Sequence, residues 1–184
     1  MDPIHRLVSE HEIIQSALLV LQKITNDTAQ AGRVVHSGDI TKLIDFFIQF
    51  ADKWHHGKEE DLLFPALEEI GISKKGGPIG VMLNEHVQGR EFVRGIKESL
   101  VTFDQDETKG TSDFLHYARG YVRLLTQHIE KENNVLFVMA GNHLPEETIK
   151  ALENQFDHQL RNNASVNIQD LIDMVKELKT TYQV

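Results

Sequence analysis

Two stretches of the chain repeat a pattern that could hold a metal. His55-His56-Gly57-Lys58-Glu59-Glu60-Asp61-Leu62-Leu63-Phe64 is echoed by His128-Ile129-Glu130-Lys131-Glu132-Asn133-Asn134-Val135-Leu136-Phe137, with His, Lys, Glu, Leu and Phe at the same places. In each copy a His stands four residues before a Glu. On an α-helix such residues lie on one face, so each copy aims an imidazole and a carboxylate at one spot. Two such helices facing each other would surround a metal site.

The elements that must position these groups are helices, because the apolar period is helical nearly throughout. A first helix is expected from about Pro3 to Thr25, with His11 inside the stripe of Leu7, Ile14, Leu18 and Leu21. Asp39 is the expected N-cap of a second helix, roughly Ile40 to Ile70, which Pro65 should end or bend at its last turn. The run from Gly71 to Pro78 reads as a loop. The third helix spans about Ile79 to Val101, with Met82, His86 and Ile96 inward. Phe103 to Gly110 reads as another loop. Thr111, Ser112 or Asp113 then caps a fourth helix that reaches about Ala140 and is ended by Gly141-Asn142. A fifth helix runs from Pro145 to about Leu160, Arg161-Asn162-Asn163 is a break, and a sixth spans about Asn167 to Tyr182. The expectation is an all-α fold: an up-down-up-down four-helix bundle over residues 1–141, with residues 142–184 as a helical extension packed on it.

Helix phase separates the adjacent His55 and His56. His55 is in line with Ile48, Ala51, Glu59 and Leu62, whereas His56 is in line with Asp45, Gln49, Asp52 and Glu60. His55 and Glu59 are therefore expected inward, and His56 on the polar side. Matching the Leu-Phe pairs aligns His128 and Glu132 with them.

His11, His55, His86 and His128 thus fall on the apolar stripes of four different helices, with Glu59 and Glu132 on two of them. A single inward imidazole is ordinarily a hydrogen-bonded core residue. Four, with two carboxylates, are costly to bury unless paired or bound to metal. They are enough for two divalent ions, with the carboxylates able to bridge. Imidazole and carboxylate without thiolate suit iron, manganese or zinc.

Composition narrows the chemistry. The 184-residue chain is 40% hydrophobic and 26% charged, as a folding domain should be. Its formal charge of -9 argues against general nucleic-acid binding, which needs a basic face, and against docking on anionic lipid. The absence of cysteine excludes disulfides, zinc-thiolate sites and cysteine-held iron–sulfur clusters. No apolar run approaches the length of a membrane span, and the N-terminus lacks a signal-peptide pattern, so a cytoplasmic protein is expected.

These pieces resemble the hemerythrin-like, HHE cation-binding family. The matching segments are Glu10-His11-Glu12, His55 through Pro65, Asn84-Glu85-His86 and His128 through Phe137, covering about residues 3 to 140. The order H…HxxxE…H…HxxxE is far more specific than one HxxxE alone. The resemblance implies a four-helix bundle with a non-haem, oxo- or hydroxo-bridged pair of iron ions, manganese or zinc being the alternatives. It implies His11, His55, Glu59, His86, His128 and Glu132 as ligands. The family's oxygen carriers have five His ligands, two of them four apart on the third helix. Here Met82 and Arg90 stand four before and four after His86. One imidazole is therefore missing or supplied from elsewhere, and an open coordination position favours reaction with small molecules over secure oxygen carriage.

Tyr121 and Tyr117 lie on the face of His128 and are candidates to hydrogen-bond a ligand, donate an electron or bind the metal; core packing is the plainer role for at least one. Glu85, Glu60 and His56 are candidates to hold the outer nitrogens of ligating imidazoles. The expected partner is a small molecule: oxygen, nitric oxide or peroxide. The readings are an oxidoreductase consuming one of these, an oxygen or nitric oxide binder or sensor without turnover, and iron storage or metal handling. The open position and the tyrosines lean toward the first. A monomer and a homodimer are both compatible with the sequence.

Overall fold

The computed structural model describes residues 2–162 and 167–184. Helix α1 is Pro3–Ala31. Asp2 caps it, accepting from the Ile4 and His5 amides at 2.8 and 3.1 Å. The helix outlasts its apolar stripe by more than a turn, because Thr25 and Thr28 are buried and Thr25 bonds the Leu21 carbonyl. It stops at Gly32, whose φ of 69° only glycine adopts cheaply.

Helix α2 covers residues 37–69 and changes its winding along the way. Ser37–Phe46 is α-helical, Phe47–His56 and Glu59–Leu63 are π-helical, and Phe64–Glu69 is α-helical again. His36, not Asp39, is the capping position, and Asp39 sits in the first turn. Pro65 neither ends nor breaks the helix. In the wide turn before it, the Phe64 amide reaches back to the Glu59 carbonyl, so proline arrives as the α-winding restarts, where its missing N–H does least harm.

Helix α3 is Pro78–Gln105. Helix α4 runs through Glu107–Lys131, the π-helical turn Glu132–Leu136 and Phe137–His143. The loop expected at Phe103–Gly110 is reduced to a corner at Asp106, whose carboxylate caps α4 by accepting from the Lys109 amide at 2.9 Å. Gly110 makes this corner possible: a Cβ there would lie 2.3 Å from the Phe103 backbone. Helix α5 is Glu146–Asn162 and α6 is Ile168–Tyr182. Arg161 and Asn162, read as a break, continue α5, and Asn163 lies outside the described residues.

Helices α1 to α4 form the up-down-up-down bundle, with α3 running along α4 and α4 along α1. Helix α6 lies against α1 through Val175 and Leu178, and the Tyr182 hydroxyl donates to Asp39 at 2.8 Å. No strand occurs, and no helix is long and apolar enough to cross a membrane, among the described residues.

The core is two apolar clusters rather than one. The larger holds Leu18, Phe46, Phe50, Ile96, Phe114 and Leu125; the smaller holds Leu7, Leu63, Phe64, Met82, Leu136 and Phe137. Each bundle helix crosses from one cluster to the other, and at each crossing it carries a buried histidine: His11, His55, His86 and His128. The Leu-Phe pairs of the repeat lie in the smaller cluster and fix how far its histidines stand from that end.

Gly110→Ala should report on the corner. In an open helical site such a change stabilises by about 1 kcal/mol. Here the backbone of Phe103 must move, so urea unfolding should show a loss of about 1–3 kcal/mol. Gly141→Ala, with nothing within 4 Å of the new methyl group, should show no such loss.

Candidate metal centre

The repeat has a local structural counterpart. In each copy a π-helical turn begins at the Glu: Glu59–Leu63 in α2 and Glu132–Leu136 in α4. Such wide turns cluster at functional sites. Those of α2 also overturn the helix-phase argument about His56. With π-winding the angular step per residue shrinks, and both His55 and His56 point inward, 0% and 5% exposed. His56 stacks on His86 at 3.8 Å between ring centres.

Two groups of buried side chains result, each with ligand atoms within 4.8 Å of one another. One comprises His11, His55, Glu59 and Glu132, the other His56, Glu59, His86 and His128. The two carboxylates span both groups. Glu59 turns Oε1 to His55 Nε2 at 3.4 Å and Oε2 to His86 Nε2 at 3.6 Å. Glu132 turns Oε2 to His11 and His128 Nε2, both at 3.2 Å, and Oε1 to His86 Nε2 at 3.9 Å. All six residues read from the sequence are therefore brought together, and His56 joins them.

The outer ring nitrogens fix what the inner ones can do. His55 Nδ1–H donates to Glu10 at 2.9 Å, His86 Nδ1–H to Glu60 at 2.7 Å, and His128 Nδ1–H to Glu85 at 3.0 Å. His11 Nδ1–H donates to the Asn133 amide oxygen at 2.7 Å. An ionised carboxylate only accepts, so a proton sits on Nδ1, and in a neutral ring the Nε2 lone pair then faces inward. The inner nitrogens then meet in pairs: His11 and His55 Nε2 are 2.9 Å apart, His86 and His128 Nε2 3.2 Å. That spacing is repulsive for bare lone pairs. It matches the separation of about 3 Å between adjacent ligands around an ion with metal–nitrogen bonds of about 2.1 Å.

Each outer carboxylate is itself held by a cation. Lys58 bonds Glu10, Arg90 bonds Glu60 at 2.6 Å, and Lys131 bonds Glu85. Lys58 is 1% exposed and lies 4.4 Å over the Trp54 ring, while the Trp54 Nε1–H also donates to Glu10 at 2.9 Å. All four inner carboxylate oxygens, by contrast, are buried without a hydrogen-bond partner among the described residues. Buried carboxylate oxygens of this kind are normally paired or bound to metal.

The electrostatics divide the cluster. Burial pushes Glu59 well above the usual carboxylate range, and the charge of Glu132 adds to the effect. Burial acts on Glu132 too, but His128 and His11 outweigh it and hold that carboxyl well below the range. Burial, with His11 behind it, keeps His55 far below its ordinary value, and burial with His86 pushes His56 down to about 3. Burial would also lower His128, but Glu132 and Glu85 more than offset it and hold it up at about 9. His55, His56 and Glu132 are thus held in the forms that bind metal, whereas Glu59 and His128 each hold a proton that an ion would displace.

Sequence reading left Glu10, Lys58 and Asn133 without roles. The signal for Lys58 was present, since Lys58 and Lys131 occupy one position of the repeat. Of the two tyrosines, Tyr121 is 3% exposed and lines a cavity with His56 and His86, whereas the Tyr117 ring packs over Gly95. No hydrogen bond joins either phenol to the centre among the described residues.

A family model for the hemerythrin HHE cation binding domain matches residues 2–140. The iron-sulfur cluster repair protein YtfE of Escherichia coli O1:K1 / APEC is 29% identical over 140 residues, covering 74% of this chain and 63% of its own. The same figures hold for YtfE of E. coli strain SMS-3-5 and of Escherichia fergusonii. The chain thus spans less than two thirds of the length of these relatives. No solved structure matches it.

Lys58 gives the clearest test of the outer shell. Lys58→Met leaves Glu10 charged and buried, and should cost about 3–5 kcal/mol in urea unfolding. Adding Glu10→Gln should restore a large part of it. Lys131→Met, at a cation 41% exposed, should cost less than about 1 kcal/mol.

Proposed function

The chain belongs to the hemerythrin HHE cation-binding family, and on that premise we propose that its centre is a non-haem di-iron site. Its residues would hold iron that supplies chemistry toward oxygen, nitric oxide or peroxide at a position that the protein leaves open. The ligands in this reading are His11, His55, Glu59, His86, His128 and Glu132, with His56 as a seventh. Two irons bridged by an oxo or hydroxo group supply the redox chemistry when bound. Residues 1–141 carry the centre, residues 142–184 brace the bundle, and the protein works in the cytoplasm.

One observation carries the reading: the two halves of the centre are unequal. His56, His86 and His128 give one half three imidazoles, while His11 and His55 give the other two. In the repeat, the partner of His56 is Ile129, buried at 1% exposure and unable to ligate. Glu59 belongs to both groups and Glu132 completes the one with two imidazoles, and we take that half, with fewer imidazoles, as the open one. Phe137 stacks on His11 at 5.3 Å and Phe64 on His86 at 5.9 Å, so an apolar ring walls each half.

The chain's own groups prepare the site. The outer carboxylates and Asn133 hold the imidazole protons on Nδ1. Burial of every ligand excludes bulk water. Tyr121 is the phenol placed to pass an electron or a hydrogen bond to the three-imidazole half, since it shares a cavity with His56 and His86. Metal handling, the reading closest to the relatives' name, fits less well: all seven ligands are at most 5% exposed, as suits ions that stay in place.

Metal analysis with ultraviolet–visible spectra, before and after peroxide or nitric oxide, should find about two irons per chain and charge-transfer bands that respond. Catalytic loss of peroxide marks an oxidoreductase; a long-lived adduct marks a binder. Ile129→His should keep the metal content and abolish the response by closing the open position. His128→Ala should strip the metal and lower the melting temperature. A variant with full metal and wild-type melting would sink the reading.

A further inference from the structure

The cavity beside His56 and His86 has features that the metal centre does not require. It measures about 230 Å³ and is floored by Phe47, Ile48, Val93 and the Tyr121 ring. Arg90, Arg94 and Lys97 stand at it together, in a chain whose formal charge is -9. Arg90 is committed to Asp52 and Glu60 at 2.8 and 2.6 Å. The other two cations are not so held. Arg94 reaches Glu98 only at 4.0 Å, with both side chains about 70% exposed, and Lys97 has no ion pair or hydrogen bond among the described residues.

Most polar groups facing this space are donors. The Tyr121 hydroxyl has no hydrogen-bond partner among the described residues, and burial raises its pKa, so it stays an O–H. The carboxylate on the lining, Asp52, is taken by Arg90. An apolar floor with unpaired donors and cations asks for a ligand with an apolar body and a negative, acceptor-rich end. Pockets for drug-sized ligands run from about 300 Å³ upward, so this ligand is smaller.

We propose that the cavity lined by Phe47, Val93, Tyr121, Arg94 and Lys97 binds a small organic monocarboxylate, its apolar body against the floor and its carboxylate at the cations. The site is separate from the open metal position. Its back wall is His56 and His86, the half with three imidazoles, whereas the open position belongs to His11 and His55. It therefore stands whether or not the centre performs redox chemistry. Gly89, one turn beyond His86, controls the available space: a methyl group there would lie 3.7 Å from Tyr121 Cε2, an ordinary contact, and a longer side chain would fill the cavity.

Calorimetric titration of the metal-loaded full chain with benzoate, and with neutral benzamide of the same shape, tests this. Benzoate should bind saturably, and benzamide about five-fold more weakly or less tightly still. Arg94→Glu with Lys97→Glu should weaken benzoate about five- to ten-fold and leave benzamide unchanged. Gly89→Leu should abolish both, with Ile48→Phe filling the cavity from the opposite wall if Gly89→Leu fails to fold. Metal content measured on each variant should match the wild type. A wild-type protein without iron would overturn the proposed redox function and leave the benzoate result to decide the cavity. No saturable benzoate binding, equal affinity for benzamide, or binding that survives both cavity-filling variants would overturn the proposal.

Discussion

Everything in this fold is arranged around one cost: five imidazoles and two carboxylates lie in a layer between two apolar clusters, at most 5% exposed. Unpaired charge in such a place is not tolerated. For four of the five imidazoles the structure meets the cost from the outside with carboxylates, cations and an amide, while His56 Nδ1 and the inside go unmet among the described residues. The same molecule that partners Glu10, Glu60 and Glu85 leaves all four oxygens of Glu59 and Glu132 without hydrogen bonds among the described residues. Only a cation on the inside completes that pattern.

The arrangement has a hidden two-fold relation. Glu10-His11 of α1 meets His55, Lys58 and Glu59 of α2 in the same way that Glu85-His86 of α3 meets His128, Lys131 and Glu132 of α4. In both pairs the Glu accepts from the partner helix's His Nδ1 and is bonded by its Lys. The repeat visible in α2 and α4 is thus one side of a relation that also includes α1 and α3. It explains why the repeated Lys is retained in each copy although neither Lys faces the centre.

How legible this was depends on how local the cause was. The four stripes and the six inward residues could be read because each depends on side-chain periodicity within one helix. His56 could not, because its position depends on a change of winding, and π-turns have no composition signature that separates His55-His56 from an α-helical run. The helix ends shifted for similar reasons. Thr25 and Thr28 look like the end of an apolar stripe but are buried by other elements, and the corner at Asp106 exists only because Gly110 admits the Phe103 backbone. The partners of the outer nitrogens join different helices, so no single-helix pattern announces Glu10 or Asn133.

Where the two-fold relation fails is where function must reside. Two repeat positions differ in ways that reach the centre: His56 against Ile129, and Glu60 against Asn133. Both changes act in one direction. The half with His56 gains an imidazole, and its His86 leans on a carboxylate backed by Arg90. The half with Ile129 has one imidazole fewer, and its His11 leans on a neutral amide, which draws less on the ring proton and leaves Nε2 a weaker donor. A symmetric layer would have been the simpler way to hold two ions. The sequence instead departs from symmetry at two positions, leaving one half with three imidazoles and the other with two, each beside a phenylalanine ring. On the proposed reading, an ion in the two-imidazole half would have the electron demand to take up a small ligand, while the half with three imidazoles would keep the layer intact.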